Sequence, residues 1–422
     1  MLTISFNDLK TTEYTTANGT EVVRVQVKLD ESRSKTQEES ANPSDNESPS
    51  LERSRVVYFE ARKADADLLC TDRIDAFIVV SLYWAMSKSQ NGERVRITSP
   101  HPISEQLLFS LTQTVVPTVS TELKDRYGSV DLDFPVTHAL FGPNRSSGAG
   151  ITGGVDSTYT LLKIGSLPDS LNNIKPDVGV TIDVDATSFD SLTPQSLQHL
   201  DLAREICERH DLRHVIIESN LLDELYGFPH AAVIDSLIMG YALSLQKGLS
   251  HYYMGSGWPF NKFSFYGPDN SAYELFNSKY YSTENLSIYS IGSEVSRLEK
   301  IRFIAQFDEP KHYLHPCSAT NTRDNCNRCS KCTRTMVALW AMDKLDDFSD
   351  VFDVESFYKD PNYHFGYLVM RRDSPFNKEV IELCSDNGHP LPKSAWTAAF
   401  KKWAKRGFHA TNPLAEGFRP KE

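Results

Sequence analysis

Between Gly148 and Ser256 the chain alternates short apolar segments with longer helical ones, and this rhythm constrains the fold more than any other feature. Strands separated by helices of about ten residues or more need right-handed crossover connections, which build parallel sheets. The candidate strands are 151–154, 177–184, 214–219 and 251–256, and the candidate helices are 156–166, 194–210, 230–247 and, further on, 293–307. The sequence therefore predicts an α/β fold with a doubly wound, mostly parallel sheet. In such folds ligands bind at the carboxyl ends of the strands.

A glycine-containing turn, called the TGGVDS segment below, joins the first candidate strand to the first candidate helix: Thr152, Gly153, Gly154, Val155, Asp156 and Ser157. Its glycines allow the backbone to approach an anion, and the following helix directs free N–H groups at the same point. Hydroxyls on Thr152 and Ser157 can donate to phosphate oxygens. The Asp156 carboxylate would repel phosphate, which indicates contact with Mg²⁺ or bracing of the loop. The alternative interpretation is an ordinary glycine turn that caps a helix.

Four of the seven cysteines fall within sixteen residues and are called the cysteine group: Cys317, Cys326, Cys329 and Cys332. Four closely spaced thiolates suit a closed, tetrahedral, structural zinc site. Arg328, Lys331 and Arg334 lie beside them and would offset the negative charge of a zinc tetrathiolate. An iron–sulfur cluster is the main alternative, because it also takes four cysteines. A redox pair would leave two cysteines without a role.

Together these two features resemble a known family. TGGVDS is similar to the SGGxDS signature of the PP-loop ATP pyrophosphatases, with Thr152 keeping the hydroxyl of the usual serine. A PP-loop followed about 160 residues later by C-x8-C-x2-C-x2-C closely resembles the 7-cyano-7-deazaguanine synthase family over residues 145–345. The resemblance implies that the loop grips the β and γ phosphates of ATP. It also implies that Gly255 and Ser256 face the nucleotide, and that Arg297 and Lys300 replace the family's lysine-bearing helix.

In that family a carboxylate is adenylated with release of pyrophosphate, converted with ammonia to an amide, and dehydrated to a nitrile with further ATP. The resemblance implies an AMP-forming, carbon–nitrogen ligase that uses ATP, Mg²⁺ and Zn²⁺ and takes a small carboxylate or heterocycle with ammonia or an amine. Catalysis would fall to Asp156, Ser157, Arg297 and Lys300. Two alternatives stay open. One is sulfur transfer to tRNA or a small molecule, and the other is a non-catalytic nucleotide-binding subunit of a biosynthetic or defence system.

Several weaker signals also follow the candidate strands. Asp183 and Asp185 end the second strand, where they could hold ribose or magnesium or serve only in a turn. His230 begins a helix, as either a substrate-orienting or a structural residue. An aromatic group follows the fourth strand and would wall a flat heterocycle or pack under a loop: Trp258, Phe260, Phe263, Phe265 and Tyr266.

Outside 145–345 the sequence predicts two further parts. Residues 1–140 read as a small N-terminal α/β domain, with strands at 20–29 and 55–61 and a helix after Asp75. The alternative is that these strands extend the sheet of the next domain. The polar stretch 30–54 is predicted to be a disordered insert. Residues 346–422 form a C-terminal extension that is irregular after 355, with a basic amphipathic helix at 393–406.

Net charge and hydropathy limit the classes of partner that we expect for this protein. With 44 basic and 56 acidic side chains the formal charge is −12, which disfavours broad electrostatic capture of nucleic acid. The start MLTISFNDLK lacks signal-peptide features, and no stretch of apolar residues is long enough to span a membrane. We therefore expect a soluble cytoplasmic protein that does not contact a membrane. A homodimer is one possible assembly.

Overall fold

The computed structural model describes residues 1–34, 50–143, 145–183, 186–225, 228–267, 269–320 and 322–397. Its strands are β1 (Leu2–Thr15), β2 (Glu21–Arg33), β3 (Ser50–Arg62), β4 (Val95–Thr98), β5 (Ile103–Ser104), β6 (Val130–Asp133), β7 (Val136–Thr137), β8 (Ser146–Gly150), β9 (Val178–Thr181), β10 (Arg213–Ser219), β11 (Leu249–Gly255) and β12 (Ser287–Ile291). Its α-helices are α1 (Asp75–Lys88), α2 (Glu105–Ser110), α3 (Val116–Glu122), α4 (Val155–Gly165), α5 (Pro194–Arg209), α6 (Leu221–Glu224), α7 (Ile234–Ser244), α8 (Glu274–Tyr280), α9 (Arg297–Ile304), α10 (Ser330–Ala341), α11 (Val354–Lys359), α12 (Pro361–Met370) and α13 (Pro375–Asp386).

One large sheet dominates the described chain, and its strands run in the order β12-β11-β8-β9-β10-β3-β2-β1-β4-β6. From β12 to β10 all neighbours are parallel, which confirms the predicted mostly parallel α/β sheet. The chain enters this half at β8, moves outward through β9 to β10, and then returns to the other side of β8 with β11 and β12. The strand order thus reverses between β8 and β11. A crevice forms at the carboxyl ends of the strands where the order reverses, and ligands bind in such crevices.

The N-terminal strands belong to this same sheet. β3 pairs antiparallel with β10, and β2 and β1 continue outward from it. The largest hydrophobic cluster also crosses the predicted boundary near residue 140, since it joins Ile4 and Phe77 to Val215 and Tyr252. The N-terminal strands therefore extend the sheet of the parallel half, as the alternative interpretation expected.

Helices cover both faces of the parallel half. α4 and α5 pack on one face around Ile151 and Ile206, whereas α7 and α1 cover the other face around Val180 and Leu237. A further hydrophobic cluster binds α4 to α9, α10 and the C-terminal helices, with Phe348 and Phe357 fully buried in it. The C-terminal extension is therefore packed against the helix that follows the TGGVDS segment.

Several predicted boundaries were wrong. The first parallel strand is SSGAG at 146–150 and ITGG follows it as a loop, because the pairing with β11 and β9 is made by the earlier residues. The tail after 355 is helical rather than irregular, since α11, α12 and α13 bury Phe357, Phe365 and Leu383. Both ends of the predicted insert at 30–54 lie in β2 and β3, and its residues 35–49 lie outside the described ranges. The basic helix predicted at 393–406 is described only to residue 397. No helix in the described ranges is long and apolar enough to cross a membrane.

Candidate functional site

The main cavity, of about 520 Å³, opens at the carboxyl ends of β8, β9 and β11, where the strand order reverses. Thr152, Gly154, Asp156 and Ser157 line it from the TGGVDS segment. Other walls come from β9, α5, α7, β11 and the cysteine segment: Asp183, His199, Tyr241, Tyr252, Gly255, His315, Cys317 and Lys331. The topology and the segment therefore indicate the same place for a ligand.

The two hydroxyls of the TGGVDS segment brace the loop. Ser157 Oγ donates to the carbonyl of Gly150 at 2.7 Å and accepts the N–H of Thr152 at 3.1 Å. Thr152 Oγ1 accepts the N–H of Gly154 at 3.2 Å. The Ser157 hydrogen is thus committed to the end of β8, whereas the Thr152 hydroxyl retains its hydrogen for an incoming acceptor.

The glycines shape the turn into α4. Gly153 has a φ of +69°, a conformation that favours glycine, and its carbonyl accepts the N–H of His315 at 2.7 Å. Gly154 is the N-cap of α4 and supplies no side-chain hydrogen bond to the first turn. The side chain of Val155 is buried in the hydrophobic cluster between α4 and the C-terminal helices, and Val155 does not line the cavity. The first amides of α4 therefore lack a capping acceptor, and an anion would supply one.

Gly255, at the end of β11, allows the first turn of α4 to lie against the sheet. A Cβ at this position would lie 2.6 Å from the carbonyl carbon of Asp156 and 2.9 Å from the backbone nitrogen of Ser157. Both neighbours are backbone atoms, so they cannot move aside as a flexible side chain would. The sequence resemblance had placed Gly255 at the nucleotide, and it does line the cavity.

We expect Gly255→Ala to push the start of α4 off β11 and lower the free energy of unfolding by about 1–3 kcal/mol, the usual cost of overpacking. Chemical denaturation measures this loss. Gly142→Ala is the matched control, because no atom lies within 4 Å of the added carbon. Equal stability of the two variants would show that the close approach of α4 to β11 is not required.

Asp156 is neutralised by two cations of α9. Arg297 Nη2 donates to one carboxylate oxygen, and Lys300 Nζ lies 3.0 Å from the other. Lys300 is 1% exposed and also donates to the carbonyl of Ser256 at 2.6 Å. These contacts join residues 141 and 144 positions apart in sequence. Of the two roles predicted for Asp156, bracing of the loop fits this geometry, and a free magnesium ligand does not.

Three predicted site residues lie behind the wall of the cavity. Arg297 and Lys300, predicted to be catalytic, are not among its lining residues, and both pair with Asp156, which is. Ser256 was expected to face the nucleotide. Its side chain is instead fully buried, with Oγ donating to the carbonyl of Trp258 at 2.7 Å, and its carbonyl holds Lys300. The Ser256 carbonyl and the Asp156 carboxylate thus share Lys300, which links the end of β11 and the first turn of α4 to α9.

At the far side of the cavity Asp183, predicted to end the second strand, lies two residues beyond the end of β9 and is 6% exposed. Together with Asp156 it provides the carboxylates among the described wall residues. Glu218, on the next strand, is fully buried, and burial followed by repulsion from Asp183 and Glu60 raises the pKa of its carboxyl well above the usual range. Burial likewise lowers the pKa of His199, which therefore stays neutral at neutral pH.

The cysteine group converges as the spacing predicted. The four Sγ atoms lie within 4.8 Å of one another and could hold a metal ion such as zinc. Cys326 Sγ and Cys332 Sγ are 3.9 Å apart, close to the edge of about 3.8 Å of a tetrahedron with 2.3 Å metal–sulfur bonds. Cys329 is also the N-cap of α10 and accepts the N–H of Cys332. The group thus ties the start of α10 to the segment that contacts Gly153.

Lys331 is a cavity residue that sequence reasoning assigned only to the charge balance of the cysteines. It lines the main cavity with Gly154 and Asp156, and no hydrogen bond or ion pair of its ammonium is found among the described residues. Burial, with repulsion from Arg297, lowers its pKa. The sequence feature that could have indicated a cavity position for Lys331 is its place between Cys329 and Cys332, two cysteines of the group.

Other predicted residues do not join the site. None of the five aromatic residues after β11 lines the main cavity. Trp258 packs against Phe376 with ring centroids 4.9 Å apart and ring planes tilted by 41°, and Phe260 and Tyr266 are exposed. The described residues do not include Asp185, nor the side chain of His230.

In comparisons with known proteins, no protein-family model and no curated protein matches the chain.

Proposed function

We propose that the protein is an AMP-forming, ATP-dependent enzyme that activates a small carboxylate by adenylation and releases pyrophosphate. The observation that carries the proposal is the uncapped start of α4 beside Gly153 and Gly154, at the strand-order reversal and open to a cavity of about 520 Å³. A nucleotide triphosphate supplies the anion that these amides lack. The volume falls in the range of small-molecule sites.

In the proposed reaction a carboxylate oxygen attacks the α phosphorus of ATP and the bond to the bridging oxygen of the β phosphate breaks. The electron pair leaves with pyrophosphate, and an acyl-adenylate remains. Ammonia or an amine then attacks the acyl carbon, AMP departs, and the nitrogen loses a proton. The product is an amide, which a second round of ATP activation would dehydrate to a nitrile in the manner of the family that the sequence resembles.

This chain's own residues would bind and orient the phosphates. Backbone amides of the first turn of α4 would face the anion, and Thr152, whose Oγ1 accepts the N–H of Gly154, would donate its own hydroxyl hydrogen. Arg297 and Lys300 hold Asp156 and thereby fix that turn. Magnesium would arrive with the phosphates, for which Asp183 is the wall carboxylate not engaged by α9. Fixed donors of this kind stabilise charge that develops on the leaving group.

The cysteine group is proposed to bind one zinc ion with a structural role. Four thiolates and no fifth ligand position make a closed site. All four Sγ atoms lie within 4.8 Å of one another, which suits a single ion. A cluster of several iron atoms would hold at least some of its thiolates further apart, because they bind different irons. Zinc would therefore organise the chain between His315 and α10.

Sulfur transfer, the second enzyme candidate, has less support. Among the described residues that line the main cavity, the cysteine is Cys317, which belongs to the metal group. Cys70, Cys207 and Cys384 are buried elsewhere, and burial raises the pKa of Cys207 to about 12. A sulfur carrier needs an accessible thiolate.

The products of ATP turnover test the proposal. Purified protein is incubated with MgATP and a panel of carboxylates, deazaguanine carboxylates among them, with and without ammonia, and the nucleotides are separated. We expect AMP and pyrophosphate in equal amounts, dependent on the carboxylate. ADP with phosphate would refute attack at the α phosphorus, and nucleotide binding without turnover across the panel would favour the non-catalytic subunit.

Asp156→Asn should lower kcat by about a hundredfold or more, while MgATP still binds. The amide cannot neutralise Arg297 and Lys300, so the first turn of α4 loses its fixed position, but the two released cations still attract phosphate. Glu294→Gln is the control, because it removes another carboxylate that pairs with α4, through Lys163 at the surface. Full turnover by Asp156→Asn would remove the proposed bracing role.

A further inference from the structure

We propose that Lys331 is a phosphate ligand held in place by the metal that its neighbouring cysteines bind, so that metal occupancy and nucleotide affinity are coupled. The inference rests on the proposed function, because it assigns a residue and a form of regulation to the same site.

The charge balance of the cavity carries the first step. Arg297 and Lys300 already neutralise Asp156, and Lys331 lines the wall beside that carboxylate with no partner for its ammonium among the described residues. Arg334, one turn further along α10, lies beside Lys331 and Arg297 in a small neighbouring pocket and not in the main cavity, so Lys331 is the cation of α10 that lines the main cavity. A cation withdrawn from water is costly unless an anion meets it. This edge of the cavity therefore carries a surplus of positive charge suited to a polyphosphate.

The position of Lys331 depends on the cysteine group. Cys329 is the N-cap of α10 and Cys332 completes its first turn, so Lys331 is flanked by two metal ligands. At the other end of the group, His315 donates its N–H to Gly153 at 2.7 Å, and Cys317 lines the cavity itself. Both ends of the metal-binding segment thus contact the nucleotide side. Loss of the metal would therefore have two effects at once. Lys331 would leave the cavity wall, and Gly153 would lose the support that the His315 N–H provides.

Reciprocity follows from thermodynamic linkage. If bound metal raises the affinity for ATP, bound ATP must raise the affinity for the metal by the same factor. A purely structural zinc remote from the ligand would give no such effect. The coupling therefore separates a metal that only stabilises the fold from one that also positions a ligand group.

The test uses metal-loaded full-length protein and calorimetric titration with MgATP and with adenosine. Lys331→Gln should weaken MgATP binding about tenfold or more, because a charge-assisted contact is lost, and should leave adenosine binding unchanged. Arg328→Gln is the matched control. It removes a cation that is also flanked by two of the cysteines but lies over Tyr363, away from the cavity. It should bind MgATP within about twofold of the unchanged protein.

Metal release provides the second readout. Zinc loss to a chromogenic chelator is followed with and without MgATP, after metal analysis has shown equal loading of each variant. MgATP should slow the release from the unchanged protein and from Arg328→Gln, but not from Lys331→Gln. Equal MgATP affinity of Lys331→Gln and the unchanged protein would overturn the inference while leaving the proposed function intact. Failure of the unchanged protein to bind MgATP would instead refute the proposed function.

Discussion

Gly154→Val is expected to abolish nucleotide binding and to leave the fold intact. The glycine lines the cavity at the N-cap of α4, and its backbone has ordinary negative φ, so a side chain is tolerated by the chain itself. An added Cβ would meet only Thr152 Oγ1 at 3.3 Å and the carbonyl of His315 at 4.0 Å. The branched side chain would then fill the space that a phosphate needs to reach the amides of the first turn.

Calorimetric titration with MgATP, together with thermal unfolding, separates the two effects. We expect no measurable binding by Gly154→Val and a melting temperature near that of the unchanged protein. Gly165→Val, at the opposite end of the same helix, is the matched control, because no atom lies within 4 Å of its added carbon. Retained MgATP binding by Gly154→Val would mean that the anion does not approach the start of α4.

The parallel half of the sheet could be predicted from sequence because its strands and helices have contrasting periodicities. The prediction placed strands β9, β10 and β11 and helices α4, α5 and α7 at the right points of the chain, with errors at their ends. Strand β8 was misplaced because SSGAG contains no β-branched residue. Gly148 is required there by packing, since a Cβ would lie 2.9 Å from Leu249 and 3.3 Å from Tyr252. Such a contact between distant segments leaves no local signal.

The sequence also could not decide whether the N-terminal strands join the parallel sheet. It depends on the pairing of β3 with β10, in which Glu60 lies directly opposite Glu218. Two acidic residues facing each other across a strand pair would be disfavoured by any local rule. Here Glu60 accepts hydrogen bonds from Arg24, Tyr14 and the backbone of Phe189, and burial raises the pKa of Glu218 well above its usual range. Only the tertiary structure provides these partners.

The candidate site was predictable in its residue types more than in its contacts. The TGGVDS segment and the cysteine group can be identified from the spacing of their residues, and both contribute residues to the wall of one cavity. The sequence did not indicate which of these residues brace the loop and which line the cavity. Ser157 and Thr152 were both expected to donate to phosphate, but the Ser157 hydroxyl donates to the carbonyl of Gly150, whereas the Thr152 hydroxyl only accepts a loop N–H. Lys331 was expected only to offset the charge of the cysteines, yet it lines the cavity.

Cys326→Ser should remove the bound metal and cause the protein to be lost from the soluble fraction, a larger effect than a selective loss of activity. A serine hydroxyl is a poor zinc ligand, and metal binding to closed cysteine sites provides roughly 10–16 kcal/mol of apparent free energy that is coupled to folding. The cost is high in this chain because α10 begins within the group, and the buried Met336 and Leu339 of that helix join α4 to the C-terminal helices.

Cys70→Ser is the control, since Cys70 is buried outside the group and its Sγ lies 3.4 Å from Asp72 Oδ1, a hydrogen bond that a hydroxyl retains. Metal analysis and the soluble yield of both variants, measured side by side, decide the matter. Cys326→Ser that is soluble, folded and still loaded with one zinc would show that the four cysteines do not form the metal site.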